Sequence, residues 1–419
     1  MVKVLVLGAG VVGVSAAYYL NRAGHEVVVV DRRDGAGLET SFANAGHLCR
    51  ATARPWASEA VPRMLIKEFG KVDAPYLLRL RADPAMWAWA LAFLRRCTRA
   101  RHRETAANLI RLAVYSIDSL ATLRETEELA YDQAGLGILH LHRDDEAFER
   151  AAAEAEVGNG EGAFAPAVLD RAGCIRVEPA LAQAGDQFAG GLHFGSEETG
   201  DAHLFTTALA QAAAARGVVF RYGVTVRALH DAGDAVTGAE TDRGPITADA
   251  VVLSMGSYSA GVLRPLGLKL PIYPVKGYSA TIPTTGYNGA PRLGIHDEAR
   301  KIGISRLGDR LRAAGTAELA GYDNDLGEAR ARAILDQAMA IFPNAGDAAQ
   351  AELWCGLRPM TPDNAPLLGH TRFRNLYLDT GHGSLGWTLA CGSGRVIADI
   401  VSGRAPDIDL DGLTLDRFG

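Results

Sequence analysis

The sequence has few cysteines and no pattern among them. Its 419 residues include five, Cys49, Cys97, Cys174, Cys355 and Cys391, and none belongs to a C-x-x-C pair. An odd, scattered set excludes a disulfide framework and a zinc site, so we expect a reducing compartment. The chain also lacks a large excess of charge, since its formal net charge is −6. A nucleic-acid partner is therefore not expected.

Long hydrophobic runs are missing as well, with one partial exception. Residues Val4–Leu20 carry no charged side chain, as the apolar region of a signal peptide would. The stretch contains three glycines at G-x-G-x-x-G spacing, and cleavage within it would destroy this pattern. No other run approaches the length that a membrane-spanning helix needs. We therefore expect a soluble cytoplasmic protein, and peripheral contact with the inner face of the cell membrane stays open.

The N-terminal segment has the pattern of a βαβ unit. Lys3–Leu7 is a short apolar strand, Val12–Arg22 is a helix, and Glu26–Val30 is a second apolar strand that ends at Asp31. Glycines follow the first strand at G-x-G-x-x-G spacing. Such a spacing alone is a weak signal, because a tight strand–helix turn needs no ligand. Together with both strands, the helix and Asp31, it predicts dinucleotide binding.

Each part of this unit has an expected role. Gly8 permits the tight turn and Gly10 the close approach of the pyrophosphate, whose charge the helix N-terminus at Val11 and Val12 would stabilise. Asp31 is placed to accept hydrogen bonds from the adenosine ribose.

Two arginines after Asp31 raise the question of which dinucleotide binds. Arg32 and Arg33 could bind a 2′-phosphate and so indicate NADP, but Asp31 would repel that phosphate. We therefore expect Arg32 to lie, solvated, beside the adenosine.

A small, polar loop follows and is expected to lie along the cofactor. Its hydroxyl and backbone N–H groups could donate to the cofactor, and an ordinary surface loop is the alternative. The candidate residues are Thr40, Ser41, Asn44, Ala45, Gly46 and His47.

The α/β pattern returns after residue 200. A helix over His203–Arg216 and a strand over Val218–Tyr222 precede Ile246–Ser254, a strand that leads into Gly256. This strand would complete the nucleotide sheet at its carboxyl edge. Leu270–Ala317 instead alternates as several short strands with Gly and Pro turns, which predicts an antiparallel sheet.

The predicted fold is α/β. A Rossmann-like nucleotide domain comprises residues 1–84, 195–265 and 356–419, and it is interrupted by an α+β substrate domain of residues 85–194 and 266–355, which contains the antiparallel sheet.

One helix of the middle region could contact a membrane. It begins near Pro84, carries Trp87, Trp89 and Phe93, and is followed by arginines between positions 95 and 103. An amphipathic, arginine-tipped helix can lie on an anionic bilayer. A core-facing stripe with a solvated basic face is the more common case, and we expect it here.

A second glycine-rich turn lies near the C-terminus, almost the whole chain away from the first. If both ends of the chain close on one ligand, that ligand is a long one, and FAD in extended form fits. The residues expected to contact it are Gly383, Ser384, Leu385, Gly386, Trp387 and Thr388.

Arg358 is the candidate for binding the substrate. It lies between Leu357 and Pro359, which favours extended backbone. A guanidinium group binds a carboxylate through two parallel hydrogen bonds, so Arg358 fits a carboxylate substrate. An arginine that bridges two domains is the alternative.

These motifs resemble those of the D-amino-acid oxidase superfamily of flavoproteins, and most closely its bacterial dehydrogenases. The similar stretches are Gly8–Gly13, Thr40–Gly46, Tyr273–Ser279, Gly356–Asp363 and Gly381–Gly394. The last two are specific to the family.

The resemblance implies roles for individual residues. Arg358 would bind the substrate carboxylate, Val226 would hold the adenine, and the turn before Thr388 would bind the pyrimidine oxygens of the flavin. In one respect the sequence departs from the family: oxidases enclose the substrate with aromatic residues, and the stretch from His296 to Arg312 has no tyrosine. Tyr278 or Arg306 is the candidate to enclose the substrate in their place.

The activity that the resemblance implies is oxidative deamination of D-amino acids to 2-oxo acids and ammonia by hydride transfer to FAD, with electrons passed to a quinone or dye-type acceptor. The alternatives are an oxidase of glycine, sarcosine or proline-like amines that uses O₂, a nicotinamide dehydrogenase, and a flavin-binding protein without catalysis. We expect FAD to be bound non-covalently. Cys355 is the candidate tether if it is not.

Overall fold

The computed structural model describes residues 1–68, 74–158 and 164–418. Its strands are, in chain order, β1 (Lys3–Leu7), β2 (Glu26–Val30), β3 (His47–Leu48), β4 (Tyr76–Leu78), β5 (Ile138–His142), β6 (Ala167–Asp170), β7 (Gly190–Phe194), β8 (Glu198–Thr199), β9 (Val219–Arg221), β10 (Val226–Ala232), β11 (Ala235–Thr241), β12 (Ile246–Thr247), β13 (Ala250–Leu253), β14 (Tyr273–Pro283), β15 (Gly294–Asp297), β16 (Ile302–Leu307), β17 (Arg310–Leu319), β18 (Glu352–Met360), β19 (Leu367–His370) and β20 (Leu376–Thr380). Its α-helices are α1 (Val11–Arg22), α2 (Val61–Glu68), α3 (Pro84–Arg96), α4 (Arg99–Glu127), α5 (Asp145–Gly158), α6 (Arg171–Val177), α7 (Ala202–Ala215), α8 (Ser259–Leu263), α9 (Glu328–Ile341) and α10 (Gly386–Val401).

A six-stranded sheet forms the nucleotide half of the molecule, in the order β19-β20-β13-β1-β2-β9. Its neighbours are parallel except β19 and β20. The central strands are almost entirely apolar because helices cover the sheet, with α1 packed against α10 and α7. The predicted βαβ unit is confirmed, and β13 lies beside β1 as expected. The C-terminal strand β20 joins the same sheet, so both ends of the chain meet there.

The second large sheet has the order β18-β14-β17-β16-β15-β5-β7-β6, and β4 pairs with β17. The predicted antiparallel arrangement is confirmed for β14 to β17, although β14 and β17 are long strands of 11 and 10 residues. The sheet as a whole is mixed, because β5 runs parallel to β15 and β4 parallel to β17. Helix α9 packs on one face over a hydrophobic core, and the opposite face is open to a large cavity.

Two strands bear on the predicted domain boundaries. Strand β4 lies within residues 1–84 but pairs with β17 of the second large sheet. Strand β18 runs across the boundary placed between residues 355 and 356. The domain division stays a prediction, and these pairings argue for moving both boundaries to the ends of strands.

Candidate active site

The first glycine turn leaves no room for side chains. Gly8 has φ of +106°, and a Cβ atom there would lie 2.5 Å from the Ser254 carbonyl oxygen. A Cβ at Gly13 would lie 2.0 Å from the Gly8 carbonyl oxygen. Glycine is therefore required at both positions, and the strand and helix can approach closely enough to form the turn.

Helix α1 begins directly after this turn with its N-terminus open. Gly10 is the N-cap residue and has no side chain with which to cap the helix. The Ser41 hydroxyl accepts one bond, from Val11 N at 3.0 Å, and Val12 follows in the first turn. An uncapped helix N-terminus with glycine around it is a phosphate site, so these residues fit the pyrophosphate of a dinucleotide.

Asp31 lies at the end of β2, beside the turn. Its carboxylate accepts hydrogen bonds from Ala9 N at 2.7 Å and Arg33 N at 2.8 Å. Burial raises the pKa of this carboxyl, although both backbone bonds act in the opposite direction. Arg32 is held by Glu39, and its guanidinium lies 4.0 Å from the centre of the Tyr258 ring. Because Arg32 is already paired, a 2′-phosphate would have to displace Glu39, and this favours the dinucleotide without one.

Two further candidates lie around the same edge of the sheet. Gly256, with φ of +52°, follows β13, and its carbonyl oxygen accepts from the Thr380 hydroxyl at 3.4 Å. Val226 begins β10 shortly after Val224, whose N–H donates to the Asp31 carbonyl oxygen. The structure therefore places Val226 two residues after the bond to Asp31, and Gly256 just after Ser254 and Met255, which border Gly8.

The loop after Glu39 is hydrogen-bonded to strands of the second large sheet. Thr40 Oγ1 donates to the Leu357 carbonyl oxygen at 3.0 Å, and Ser305 Oγ donates to the Ala45 carbonyl oxygen at 2.7 Å. Asn44 Oδ1 accepts from Gly46 N at 2.9 Å, which closes the turn of the loop. These bonds hold the loop rigidly between the two sheets.

His47, at the end of this loop, is half-buried and packs against the second large sheet. A Cβ at Gly303 would lie 2.9 Å from its ring, so the strand needs glycine there. Its Nε2 atom is buried and has no hydrogen-bond partner among the described residues. Burial lowers its pKa to about 3, so the ring is neutral at pH 7. A buried polar atom without a partner on a cavity wall is what a bound ligand would satisfy.

The second glycine turn leads into α10. Gly383 has φ of +56°, and its N–H donates to the Pro359 carbonyl oxygen at 3.0 Å. Helix α10 starts at Gly386, and its N-cap residue, Leu385, makes no side-chain cap. A second uncapped helix N-terminus therefore lies beside Ser384.

Two side chains at the start of α10 have defined roles in packing. Thr388 Oγ1 accepts from Cys49 N at 3.1 Å, which leaves its own hydroxyl proton available to donate. The Trp387 indole N–H donates to the Gly200 carbonyl oxygen at 3.1 Å, so this N–H is already occupied. Trp387 contributes an apolar surface to the cavity.

A cavity of about 1230 Å³ lies between the loop, the second turn and the open face of the second large sheet. It has the size and mixed polarity of a site for a large cofactor together with a small substrate. Its walls bring together many predicted residues, namely Thr40, Asn44, Ala45, Gly46, His47, Arg358, Ser384, Leu385, Trp387 and Thr388.

Arg358 reaches into this cavity from β18, in extended backbone as predicted. Its guanidinium donates to the Thr316 carbonyl oxygen at 2.7 Å and lies over the Trp56 ring at 5.7 Å. Burial lowers its pKa to about 10, and no carboxylate of the described residues lies within ion-pair distance of it. A Cβ at Gly277 would lie 2.3 Å from its Nη1 atom, so glycine makes the space for this arginine.

Two predicted substrate residues direct their side chains away from Arg358, although the backbone of Tyr278 borders the cavity. Side chains alternate between the faces of a strand, and Gly277 faces Arg358, so Tyr278 points to the opposite face. There its hydroxyl donates to Glu318 Oε2 at 2.8 Å, within the core under α9. Arg306 is exposed at the end of β16 and donates to the Gly308 carbonyl oxygen. Both assignments are corrected here, because the register of β14 and the end position of Arg306 place these side chains elsewhere.

Cys355 also faces away from the cavity. It pairs with Tyr278 across β14 and β18, and its Sγ atom lies 3.4 Å from the Asn324 carbonyl oxygen. For a covalent bond from this cysteine to a cofactor in the cavity, β18 would have to rotate so that Cys355 points to its other face.

Sequence reasoning missed two aromatic residues of the site. Trp56 lies beneath the Arg358 guanidinium, and Tyr76 packs edge-on against Trp56 with ring centres 6.0 Å apart. Tyr76 stands on β4, which pairs with β17 far along the chain. No local motif marks either residue, so only the strand pairing could reveal them.

Comparison with known proteins shows the family to which the chain belongs. A family model described as "FAD dependent oxidoreductase" matches residues 3–400. A protein named D-amino acid dehydrogenase from Paramagnetospirillum magneticum is 52% identical over 417 residues, which is 99% of both chains. Its namesake from Methylobacterium nodulans is 49% identical over 418 residues, again 99% of each chain.

Solved structures share the fold at lower identity. Glycine oxidase from Geobacillus kaustophilus has a TM-score of 0.73 and 22% identity, with 99% of both chains covered. L-proline dehydrogenase from P. horikoshii has a TM-score of 0.75 and 17% identity, with 99% of this chain and 97% of the other covered. The shared fold is that of a Rossmann-like nucleotide domain joined to a substrate domain.

Proposed function

Because the chain belongs to the FAD dependent oxidoreductase family, we propose that it oxidises D-amino acids to 2-oxo acids and ammonia. Two relatives that are 52% and 49% identical over 99% of this chain are named D-amino acid dehydrogenase, which supports this choice of substrate. One observation carries the proposal: Arg358 presents a part-buried guanidinium on the cavity wall, and no carboxylate of the described residues pairs with it. A buried charge without a counter-ion is costly, and the carboxylate of an amino acid would supply the counter-ion.

The residues of the chain hold and orient both reactants. The turn at Gly8 and Gly10 with the N-terminus of α1 would bind the pyrophosphate of FAD, and Asp31 the adenosine ribose. The loop that ends at His47 and the start of α10, with Thr388, would bind the flavin end. When bound, FAD supplies an acceptor for the hydride that leaves the substrate Cα.

Substrate orientation would rest on Arg358. Its fork fixes the carboxylate while the carbonyl oxygens of Gly315 and Thr316 and the ring of Trp56 hold the guanidinium in place. A substrate whose amine is neutral can lose hydride from Cα, so no base has to remove a Cα proton. The imino acid that results is hydrolysed by water to the 2-oxo acid and ammonia.

Product analysis tests this reaction. Purified protein with an artificial dye as electron acceptor should convert D-alanine to pyruvate and ammonia in equal amounts, and L-alanine should give neither. Formation of products from L-alanine at the same rate would contradict the proposed stereochemistry.

The electron acceptor is a further proposal. We propose a quinone or a similar carrier in place of O₂, supported by the name dehydrogenase that the relatives carry. Reoxidation of the reduced protein in air-saturated buffer should be slow beside reoxidation by a soluble quinone analogue. Rapid reoxidation by air, with activity on glycine, sarcosine or proline, would instead place the protein among amine oxidases.

Contact with a membrane would accompany a quinone acceptor. No helix in the described ranges combines the length and apolar character needed to span a bilayer, so contact would be peripheral. As expected for a core-facing stripe, Trp89 is buried, with its indole N–H on the Met360 carbonyl oxygen, and Phe93 stacks against it. The exposed apolar residues of α3 are Trp87, Leu91 and Leu94.

A further inference from the structure

A second set of charged side chains lies on the wall of the cavity that contains Arg358. Lys301 Nζ lies 2.6 Å from Glu298 Oε2, and His140 Nδ1 lies 2.8 Å from Glu298 Oε1. All of these residues line the cavity with Arg358. Arg358, the carboxylate anchor, and the residues of the cofactor motifs account for the rest of the site. Neither gives this charged group a role.

The group lies close to the carboxylate anchor. Arg358 donates to the carbonyl oxygens of Gly315 and Thr316 on β17. Gly315 pairs with Ile302, the residue after Lys301, and a Cβ at Gly315 would lie 2.5 Å from the Lys301 carbonyl oxygen. Neighbouring strands are about 4.8 Å apart. An amino acid held at Arg358 can therefore direct its side chain to this wall.

The charges of both sites act on one hydroxyl group. Burial raises the pKa of Tyr76, the positive charges of Lys301 and Arg358 oppose that rise, and Glu298 adds to it. Tyr76 therefore lies within electrostatic range of the anchor and of the ion pair.

The ion pair presents both signs of charge to the cavity. The side chain of Glu298 is 27% exposed and that of Lys301 is 38% exposed. Burial acts to raise the pKa of Glu298, but the hydrogen bond from His140 and the charge of Lys301 help to hold it well below its usual range, so the carboxylate is ionised. Burial lowers the pKa of His296, beside them, to about 4, and the ring is therefore neutral at pH 7.

We propose that the Glu298–Lys301 ion pair faces the side chain of the substrate and selects D-amino acids whose side chains are uncharged. This inference rests on the proposed function. A charged side chain would find the opposite charge already engaged, since Glu298 is bonded to Lys301 and His140, and it would have to break the ion pair to bind. An uncharged side chain leaves the pair intact.

Neutralising each partner in turn tests the proposal through charge preference. Lys301→Met leaves Glu298 uncompensated, so kcat/KM for D-lysine relative to D-alanine should rise on the order of tenfold, which corresponds to about 1.4 kcal/mol. Glu298→Gln should raise the same ratio for D-glutamate by a similar factor and leave that for D-lysine unchanged or lower. Lys301→Gln serves as a second neutral variant if Lys301→Met does not retain FAD.

Two controls separate selection from folding. Lys301→Arg keeps the charge and should keep the preference of the wild type. Glu328→Gln removes one partner of an exposed ion pair with Arg332 on α9, outside the cavity, and should leave every ratio unchanged.

The proposal is overturned if the neutral variants change kcat/KM for all three substrates by one common factor, since the pair would then only support the fold. It is equally overturned if the wild type oxidises D-lysine and D-glutamate as well as D-alanine. Failure of the wild type to oxidise any D-amino acid would defeat the proposed function itself, and the inference with it.

Discussion

Arg358 is the residue whose removal should affect substrate binding most. Arg358→Ala removes a buried, charge-assisted pair worth roughly 2–4 kcal/mol, so KM for D-alanine should rise on the order of 30- to 1000-fold. FAD should stay bound, because no cofactor motif is altered. Steady-state kinetics with an artificial dye acceptor measure the change, and the flavin absorbance reports cofactor content.

The conservative variant gives the matched control for Arg358. Arg358→Lys keeps a positive charge but loses the fork, so its KM should fall between those of the wild type and Arg358→Ala. An Arg358→Ala protein that is loaded with flavin and has the KM of the wild type would remove Arg358 from the substrate site.

At Gly13, a side chain of any size would clash with the glycine turn that we expect to bind the cofactor. Gly13→Ala places a Cβ atom 2.0 Å from the Gly8 carbonyl oxygen, so α1 must shift away from β1. We expect the purified variant to contain little flavin and to melt at a lower temperature. Gly261→Ala is the control, since nothing lies within 4 Å of a Cβ there. Equal flavin content in both variants would show that close packing of the turn is not needed.

At this scale the sequence identifies motifs well and side-chain directions poorly. Arg358 and Gly8 could be singled out because their roles depend on immediate neighbours in the chain. Tyr278 was assigned to the wrong face because the register between β14 and β18 decides which side chains share the face of Arg358. Tyr76 could not be found because its strand pairs with a distant one.

Among the elements, helix α3 has apolar residues on two of its faces, and the sequence pattern alone does not distinguish the buried face from the exposed one. Met86 and Trp89 pack inward, while Trp87, Leu91 and Leu94 form an exposed stripe at helical spacing. Periodicity alone cannot say which apolar face is covered, because that depends on contacts with Met360 and other residues of the second large sheet.

The exposed stripe of α3 gives a prediction for membrane contact. Binding to vesicles that contain anionic lipid should weaken as salt rises, because exposed charges are screened beyond about 10 Å at 0.1 M. Replacing Arg95 and Arg99 with Gln should weaken it further, and so should Trp87→Ser. Co-sedimentation with vesicles measures the bound fraction.

Buried Trp89 provides the contrast for this test. Trp89→Ser should lower thermal stability, whereas Trp87→Ser should leave stability nearly unchanged because its side chain is 46% exposed. Vesicle binding that is absent in the wild type, or equal in wild type and arginine variants, would exclude α3 as a contact surface.

For the molecule as a whole, a buried acid in β20 makes stability depend on pH. Neither carboxyl oxygen of Asp379 has a hydrogen-bond partner among the described residues. Burial raises its pKa well above the usual range, so the folded state holds the proton more tightly than the unfolded state does. The contribution of Asp379 to stability should therefore fall as pH rises from the unfolded pKa, about 3.9, through the folded pKa.

Asp379→Asn removes this dependence because an amide does not ionise. The free energy of unfolding of the variant minus that of the wild type should become more positive between pH 4.5 and pH 8. Urea denaturation at both pH values measures it. A difference that is the same at both would show that Asp379 has an ordinary pKa in the folded protein.

The molecule as a whole also shows which part of the fold a sequence can reveal. The βαβ unit at the N-terminus is local, and its strands, helix and Asp31 follow from neighbouring residues. The second large sheet joins strands from β4 to β18, and its parallel pairings, such as β15 with β5, depend on contacts that no local pattern encodes. The open face of this sheet is the wall of the active site.

Anaerobic reduction of the bound flavin by single enantiomers shows whether the protein oxidises D-amino acids through Arg358. Purified protein is mixed without oxygen or dye with D-alanine or with L-alanine, and the visible flavin absorbance is followed in a stopped-flow instrument. D-Alanine should bleach the flavin fully and rapidly, L-alanine should leave it oxidised, and Arg358→Ala should need far more D-alanine for the same rate. A flavin that stays oxidised with every D-amino acid, or is bleached equally by both enantiomers, would contradict the proposed function.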